Sequence, residues 1–66
     1  MSVARVTEIS SGSTKNFEDA IARGIARANK TLRNVSGAWI EDQKVVVEKG
    51  KVVEYRVHMK ITFVLD

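Results

Sequence analysis

Hydrophobic residues follow different spacings along this chain, and each spacing predicts one kind of element. Residues Val3–Ser10 alternate weakly and predict a short first strand. From Asn16–Leu32 apolar residues recur every three or four positions, which predicts a helix with one apolar stripe. This stripe includes three small residues that would let the helix lie close to a sheet, namely Ala20, Gly24 and Ala28.

The segment between the first strand and the helix consists of turn-forming residues, Ser10–Thr14. Asn16, followed three residues later by Asp19, resembles a capping box, and Thr14 is a competing N-cap. The sequence leaves the choice between these two caps open.

The rest of the chain predicts a long hairpin. Residues Lys51–Leu65 show the clearest alternation, Gly37–Glu48 form the partner strand, and Lys49-Gly50 is the two-residue turn. The predicted fold class is therefore α+β. We expect a single β-α-β-β domain over residues 1–66, with a three-stranded antiparallel sheet whose long hairpin is partly wrapped around one helix.

The predicted turn also sets the pairing register of the hairpin. The apolar face then holds the pairs Val46–Val53, Ile40–Met59 and Ala38–Ile61, and the polar face holds Gln43–Arg56, Glu41–His58, Trp39–Lys60 and Gly37–Thr62. Asp42 and Lys44 fall on the apolar face in this register. A β-bulge would explain them, as would a hairpin that extends beyond the helix covering it.

The hairpin is too long for its own helix. Its strands span about 40 Å, whereas the predicted helix spans about 25 Å. The far end would leave an apolar strand pair exposed in a monomer, formed by Val45, Val46, Val47, Val52 and Val53. We therefore expect a homo-oligomer.

Composition agrees with that expectation. The chain has 66 residues and no cysteine, so a small core must be stabilised without disulfides. The sequence offers few metal ligands, because His58 is the only histidine and no carboxylates have the spacing of a calcium-binding loop. Whether the protein binds a metal is left open. No signal peptide or membrane span is recognisable, so a cytoplasmic protein is expected.

The polar sheet face is the candidate ligand surface. It offers Trp39 as an aromatic platform, together with hydrogen-bonding groups on Glu41, Gln43, Arg56 and His58. The alternative is the polar side of a sheet that is solvated or packed on another subunit. No nucleophile has a recognisable base, so we expect no enzyme. Acidic residues interrupt the basic helix face, which disfavours nucleic-acid binding despite the net charge of +3.

The chain resembles the dodecin family over nearly its whole length. The resemblance is carried by Ser13–Ile21 (STKNFEDAI), Gly24–Arg33 (GIARANKTLR) and Val53–Asp66 (VEYRVHMKITFVLD). It implies a hollow homododecamer that binds a flavin, riboflavin or FMN, and stores or buffers it without catalysing turnover.

Two positions depart from the flavin-binding pattern that this resemblance implies. Aligned without gaps, the ring-stacking tryptophan of the family falls on Gly37, and the glutamine that hydrogen-bonds the flavin falls on Arg56. Trp39 lies two residues further along, on the same face and about 7 Å away. Arg56 can donate to a flavin carbonyl or a phosphate but cannot accept from the ring N–H.

The predicted function is thus flavin binding, with Trp39 as platform and Arg56 as polar contact. One alternative is another anionic cofactor, such as a coenzyme A type nucleotide, held by basic groups. A further alternative is a shell-forming or ion-binding protein whose polar sheet face serves subunit contacts.

Overall fold

The computed structural model describes residues 3–65, so the predicted domain boundaries at residues 1 and 66 lie outside the described residues. The elements are β1 (Val3–Ser13), α1 (Phe17–Ala28), β2 (Val35–Glu48) and β3 (Lys51–Leu65). The strands form one antiparallel sheet in the order β1-β3-β2, with α1 packed on one face. The predicted α+β class and element order are confirmed.

β1 is longer than the sequence predicted. Residues 11–13 continue the strand and pair with residues 55–57 of β3, where a turn was expected. The long third strand supplies backbone partners for these serine and glycine residues, and those partners override their local turn preference. Only Thr14 and Lys15 then separate β1 from the helix cap.

Asn16 is the N-cap of α1, which decides between the two candidates. Its side-chain oxygen accepts a hydrogen bond from the backbone N–H of Asp19 at 2.7 Å. Asp19 also forms an ion pair one turn further along the helix, with Arg23 Nε 2.7 Å from Asp19 Oδ2. The helix ends at Ala28 and not at Leu32, because the N–H groups of Lys30 and Thr31 bond to carbonyls three residues back, on Arg27 and Ala28, and so close a tighter turn.

The core lies between α1 and the central strand β3. Val57, Met59 and Ile61 of β3 are almost completely buried, and they pack with Ala20 and Ala28 of the helix. Gly24 occupies the closest approach between the layers. A Cβ atom there would overlap Met59 Cε and lie 3.0 Å from Cβ of Ser11, so the predicted role of small residues is confirmed.

The hairpin turn is the predicted Lys49-Gly50 pair. Both residues have positive φ, 52° and 77°, as a type I′ turn requires. Glu48 pairs with Lys51 beside the turn. At the opposite end of the hairpin the predicted register is confirmed for the pairs Gly37–Thr62, Ala38–Ile61, Trp39–Lys60 and Ile40–Met59.

The register predicted for the middle of the hairpin is wrong. Besides a shift between Val35 and Gly37, the ladder shifts at two irregular points that enclose this middle part. The first lies between Ile40 and Asp42, where Glu41 is an extra residue that has no ladder partner. Asp42 therefore pairs with His58, the place predicted for Glu41.

The same shift turns the following residues to the other face. Gln43 pairs with the buried Val57 and not with Arg56, which pairs with Lys44. The bulge that would explain Asp42 and Lys44 on the apolar face is thus present. The second shift pairs Val46 with Glu54 in place of Val53.

The far end of the hairpin extends beyond the helix. The chain measures 51 × 19 × 14 Å, while the helix spans about 18 Å. Four valines at this end are between 38% and 55% exposed, namely Val45, Val47, Val52 and Val53. The predicted uncovered strand pair is therefore present, except that Val46, also predicted to be exposed, is partly buried. Among the described residues, no helix has the length and apolar character that a membrane crossing needs.

Candidate functional site

Trp39 lies on the sheet face opposite the helix and is 73% exposed. Its pairing partner Lys60 pairs in turn with Glu8 on β1, so the three side chains lie in one row across the sheet. Val6 and Thr62 form the neighbouring row. Together these five residues line an open groove of about 590 Å³, which we call the Trp39 groove.

Gly37 adjoins this groove. It pairs with Thr62, one of the lining residues. Within residues 3–65, and leaving aside Gly37 and its two chain neighbours, no heavy atom lies within 4 Å of the place that a Cβ atom at Gly37 would occupy. The position that the resemblance aligns with a tryptophan is therefore open space beside Trp39.

A row of charged side chains, the charged row, runs from the Trp39 groove along the same face. Lys60 Nζ lies 2.8 Å from Glu41 Oε1, and the other carboxylate oxygen of Glu41 lies 3.7 Å from His58 Nε2. His58 Nε2 is also 3.1 Å from Glu8 Oε2. The row thus joins all three strands through contacts between polar side chains.

The contact between Lys60 and Glu41 changes the ionisation of both groups. The hydrogen bond from Lys60, and then the charges of Lys60 and His58, hold the pKa of Glu41 below its usual 4.5. The same hydrogen bond and the Glu41 charge raise the pKa of Lys60 above 10.5. Both side chains are therefore charged at neutral pH.

The bulge at Glu41 is what builds this row. Because Glu41 is an extra residue, it and Asp42 both belong to the face of Lys60 and His58. A regular strand would place only one of two consecutive residues there. The ladder pair Glu41–His58 predicted from the sequence is absent, but the two side chains still approach each other.

Arg56 lies further along β3, where its guanidinium is held by two neighbours. Nη1 lies 3.2 Å from both carboxylate oxygens of Glu54, and Nη2 donates to Ser10 Oγ at 3.1 Å. A second groove of about 320 Å³, which we call the Arg56 groove, lies beside it and is lined by Ser10, Asp42, Lys44, Arg56, Val57 and His58.

The structure therefore brings together most, but not all, of the predicted site residues. Trp39 and Gly37 lie at the Trp39 groove, Glu41 and His58 belong to the charged row, and Arg56 has its own groove. Gln43 is separated from them, because its pairing with Val57 places it on the helix side of the sheet.

Sequence reasoning missed the residues that β1 contributes to this face. Val6, Glu8 and Ser10 come from β1, whose weak alternation did not predict a register with β3. Lys60, in contrast, was predicted on the polar face from the alternation of β3, and the structure places it there. The β1 residues follow only from the tertiary pairing.

The dodecin family model matches residues 3–66. The chain is similar to a dodecin from Streptomyces davaonensis, with 32% identity over 98% of this chain and 96% of that one, at a TM-score of 0.94. A dodecin from Streptomyces coelicolor matches with 28% identity over 98% and 93% of the two chains, at 0.93.

A protein from Thermus thermophilus also matches, with 29% identity over 100% of this chain and 97% of that one, at a TM-score of 0.94. A search of the curated proteins gave no significant match.

Proposed function

The chain belongs to the dodecin family. We propose that it binds a flavin (riboflavin or FMN) as a homo-oligomer, and that it stores this ligand without catalysing its turnover. The exposed indole of Trp39 is the observation that carries this proposal. A planar, largely apolar side chain that is 73% exposed gains by stacking on a planar ligand.

The lining of the Trp39 groove fits such a ligand. Val6 offers apolar contact beside the indole, while Thr62 and Lys60 offer donors to carbonyl groups at a ring edge. Gly37 leaves room for a ring that extends past Trp39. These residues give the combination of apolar walls and a few polar groups that small-molecule sites share.

We expect Arg56 to contact the phosphate of FMN and not its ring. It lies four residues from Lys60 along β3, a separation of about 13 Å. A flavin ring stacked on Trp39 would therefore direct its sugar-phosphate arm toward Arg56, with Lys44 on the neighbouring strand. We expect FMN to bind more tightly than riboflavin for this reason.

The exposed hairpin end supports the proposed oligomer. The four exposed valines defined above form an apolar strand pair that a neighbouring subunit would cover. The family supports assembly, with twelve subunits as the number that the dodecin resemblance implies. Light scattering coupled to size exclusion measures this number directly, and a folded monomer would contradict the proposed assembly.

The test of ligand binding is a titration of purified protein with riboflavin and with FMN, followed by the fluorescence of Trp39, the only tryptophan. We expect quenching that saturates. Trp39→Ala should weaken binding by about 1–3 kcal/mol, the range for bases stacked on aromatic side chains. Trp39→Phe should retain part of the affinity, as followed by flavin fluorescence.

Arg56→Gln tests the phosphate contact. It should remove most of the preference for FMN over riboflavin, while Lys15→Gln, an exposed cation outside both grooves, should leave the preference unchanged. Absence of saturable binding by an oligomer of normal size would refute the flavin proposal and leave the fold assignment intact.

A second candidate is an anionic nucleotide of the coenzyme A type. The observation in its favour is the Arg56 groove, where Lys44 and Arg56 pair across the strands. This binding would weaken steeply with salt and would survive Trp39→Ala. Binding of the uncharged riboflavin by stacking on the indole would depend little on salt and would be weakened by Trp39→Ala.

A further inference from the structure

Part of the charged row brings three metal-type ligand atoms together from three different strands. Nε2 of His58 lies 3.1 Å from Oε2 of Glu8 and 3.7 Å from Oε2 of Glu41, and the three atoms lie within 4.8 Å of one another. We propose that these side chains form a binding site for a divalent transition-metal cation, for which Zn²⁺ is the probe.

The two separations from His58 Nε2 match those between ligands on one small cation. Zinc binds nitrogen and oxygen at about 2.0–2.2 Å, so two ligands of a tetrahedral ion lie about 3.4 Å apart. The distances from His58 Nε2 to the two glutamates lie on either side of this value. Small side-chain rotations, without a change in the backbone, would complete the site.

The chemistry of the donors selects the class of cation. One imidazole nitrogen with two carboxylates suits zinc and its first-row neighbours, whereas calcium and magnesium prefer oxygen ligands alone. Three protein ligands leave a fourth position for water, which reaches the site because Glu8 and His58 are partly exposed.

Lys60 orients one of the ligands, and the net charge of the cluster favours a cation. Lys60 Nζ holds Oε1 of Glu41 at 2.8 Å, which leaves Oε2 directed toward His58. Such hydrogen bonds behind a ligand fix its orientation. Even with the charge of Lys60, the two carboxylates leave the cluster net negative when His58 is neutral, as a metal ligand must be.

The experiment is a calorimetric titration of flavin-free, full-length protein with Zn²⁺, after the oligomer size has been measured. We expect one Zn²⁺ per chain. His58→Gln and Glu8→Gln should each weaken binding by at least about 100-fold, more than the loss of an outer hydrogen bond. Glu54→Gln is the matched control and should leave the affinity for Zn²⁺ unchanged. Glu54 lies on β3, as His58 does, but forms its ion pair with Arg56.

The alternative is a cluster of ion pairs in which a protonated His58 bridges the two glutamates. In that case Zn²⁺ would show no saturable binding, or binding that both variants retain, and either result would overturn the proposal. If His58→Gln lowers the stability of the oligomer, the Glu8→Gln result decides between the two readings. The Glu8 side chain is 57% exposed, so its replacement should not disturb the fold. Neither result depends on flavin binding, since the titration contains no flavin.

Discussion

Replacing Gly24 by alanine changes two free-energy terms in opposite directions. In a helix interior alanine is more favourable than glycine by about 1 kcal/mol. The added Cβ, however, would overlap Met59 Cε and lie 3.0 Å from Ser11 Cβ, where carbon atoms are normally 3.5–4.0 Å apart.

Neither neighbour can retreat freely. Met59 is completely buried in the core, and Ser11 is held in the ladder opposite Val57. Overpacking of this kind costs about 1–3 kcal/mol, which exceeds the gain in helix propensity. We therefore expect Gly24→Ala to lower the free energy of unfolding by about 1 kcal/mol. For a chain of this size, the melting temperature should fall by about 4–8 °C.

The assay is thermal and urea unfolding followed by circular dichroism, at one protein concentration, because the stability of an oligomer depends on concentration. Ala22→Gly, at an exposed position of the same helix, measures the propensity term alone. In a Met59→Leu background, which lacks Cε, Gly24→Ala should be less destabilising than in the parent. A Gly24→Ala variant that is more stable than the parent would refute the close-approach argument.

Three further predictions concern the turn, the cap and acid stability. Gly50→Ala should lower the free energy of unfolding by about 1–2 kcal/mol, because φ is 77° at this position. Lys49→Asn, at φ 52°, should leave the free energy of unfolding unchanged or raise it, as measured by urea unfolding. Equal losses for the two variants would contradict the type I′ assignment. Asn16→Ala should cost about 1 kcal/mol by the same measurement, and no loss would mean that the cap is dispensable. The hydrogen bond from Ser13 is the largest factor that holds the pKa of Asp19 below its usual 3.8. Ionised Asp19 therefore stabilises the fold above about pH 3.8, and this contribution is lost as the pH falls further. Asp19→Asn should flatten the acid side of the stability profile, and an unchanged acid side would contradict it.

Much of the candidate site was predictable because it depends on local rules. The alternation of β3 and the Lys49-Gly50 turn were enough to pair Trp39 with Lys60 and to place both on the polar face. Helix periodicity likewise predicted Gly24 at the contact between the helix and the sheet. Strand alternation, helix period and turn type act over a few residues, so they can be recognised in the sequence.

The bulge and the pairing of β1 were decided only by the tertiary structure. Asp42 and Lys44 on the apolar face of the predicted register made a bulge one of two explanations, but the sequence did not give its position. The bulge separated Gln43 from the predicted site and placed both Glu41 and Asp42 on the face of Lys60 and His58. Glu8 reaches His58 because β1 pairs with a strand some fifty residues away in the chain. The sequence determined which side chains each strand could present. Which strands lie side by side, and in which register, depends on backbone hydrogen bonds and core packing between distant segments, and these exist only in the folded chain.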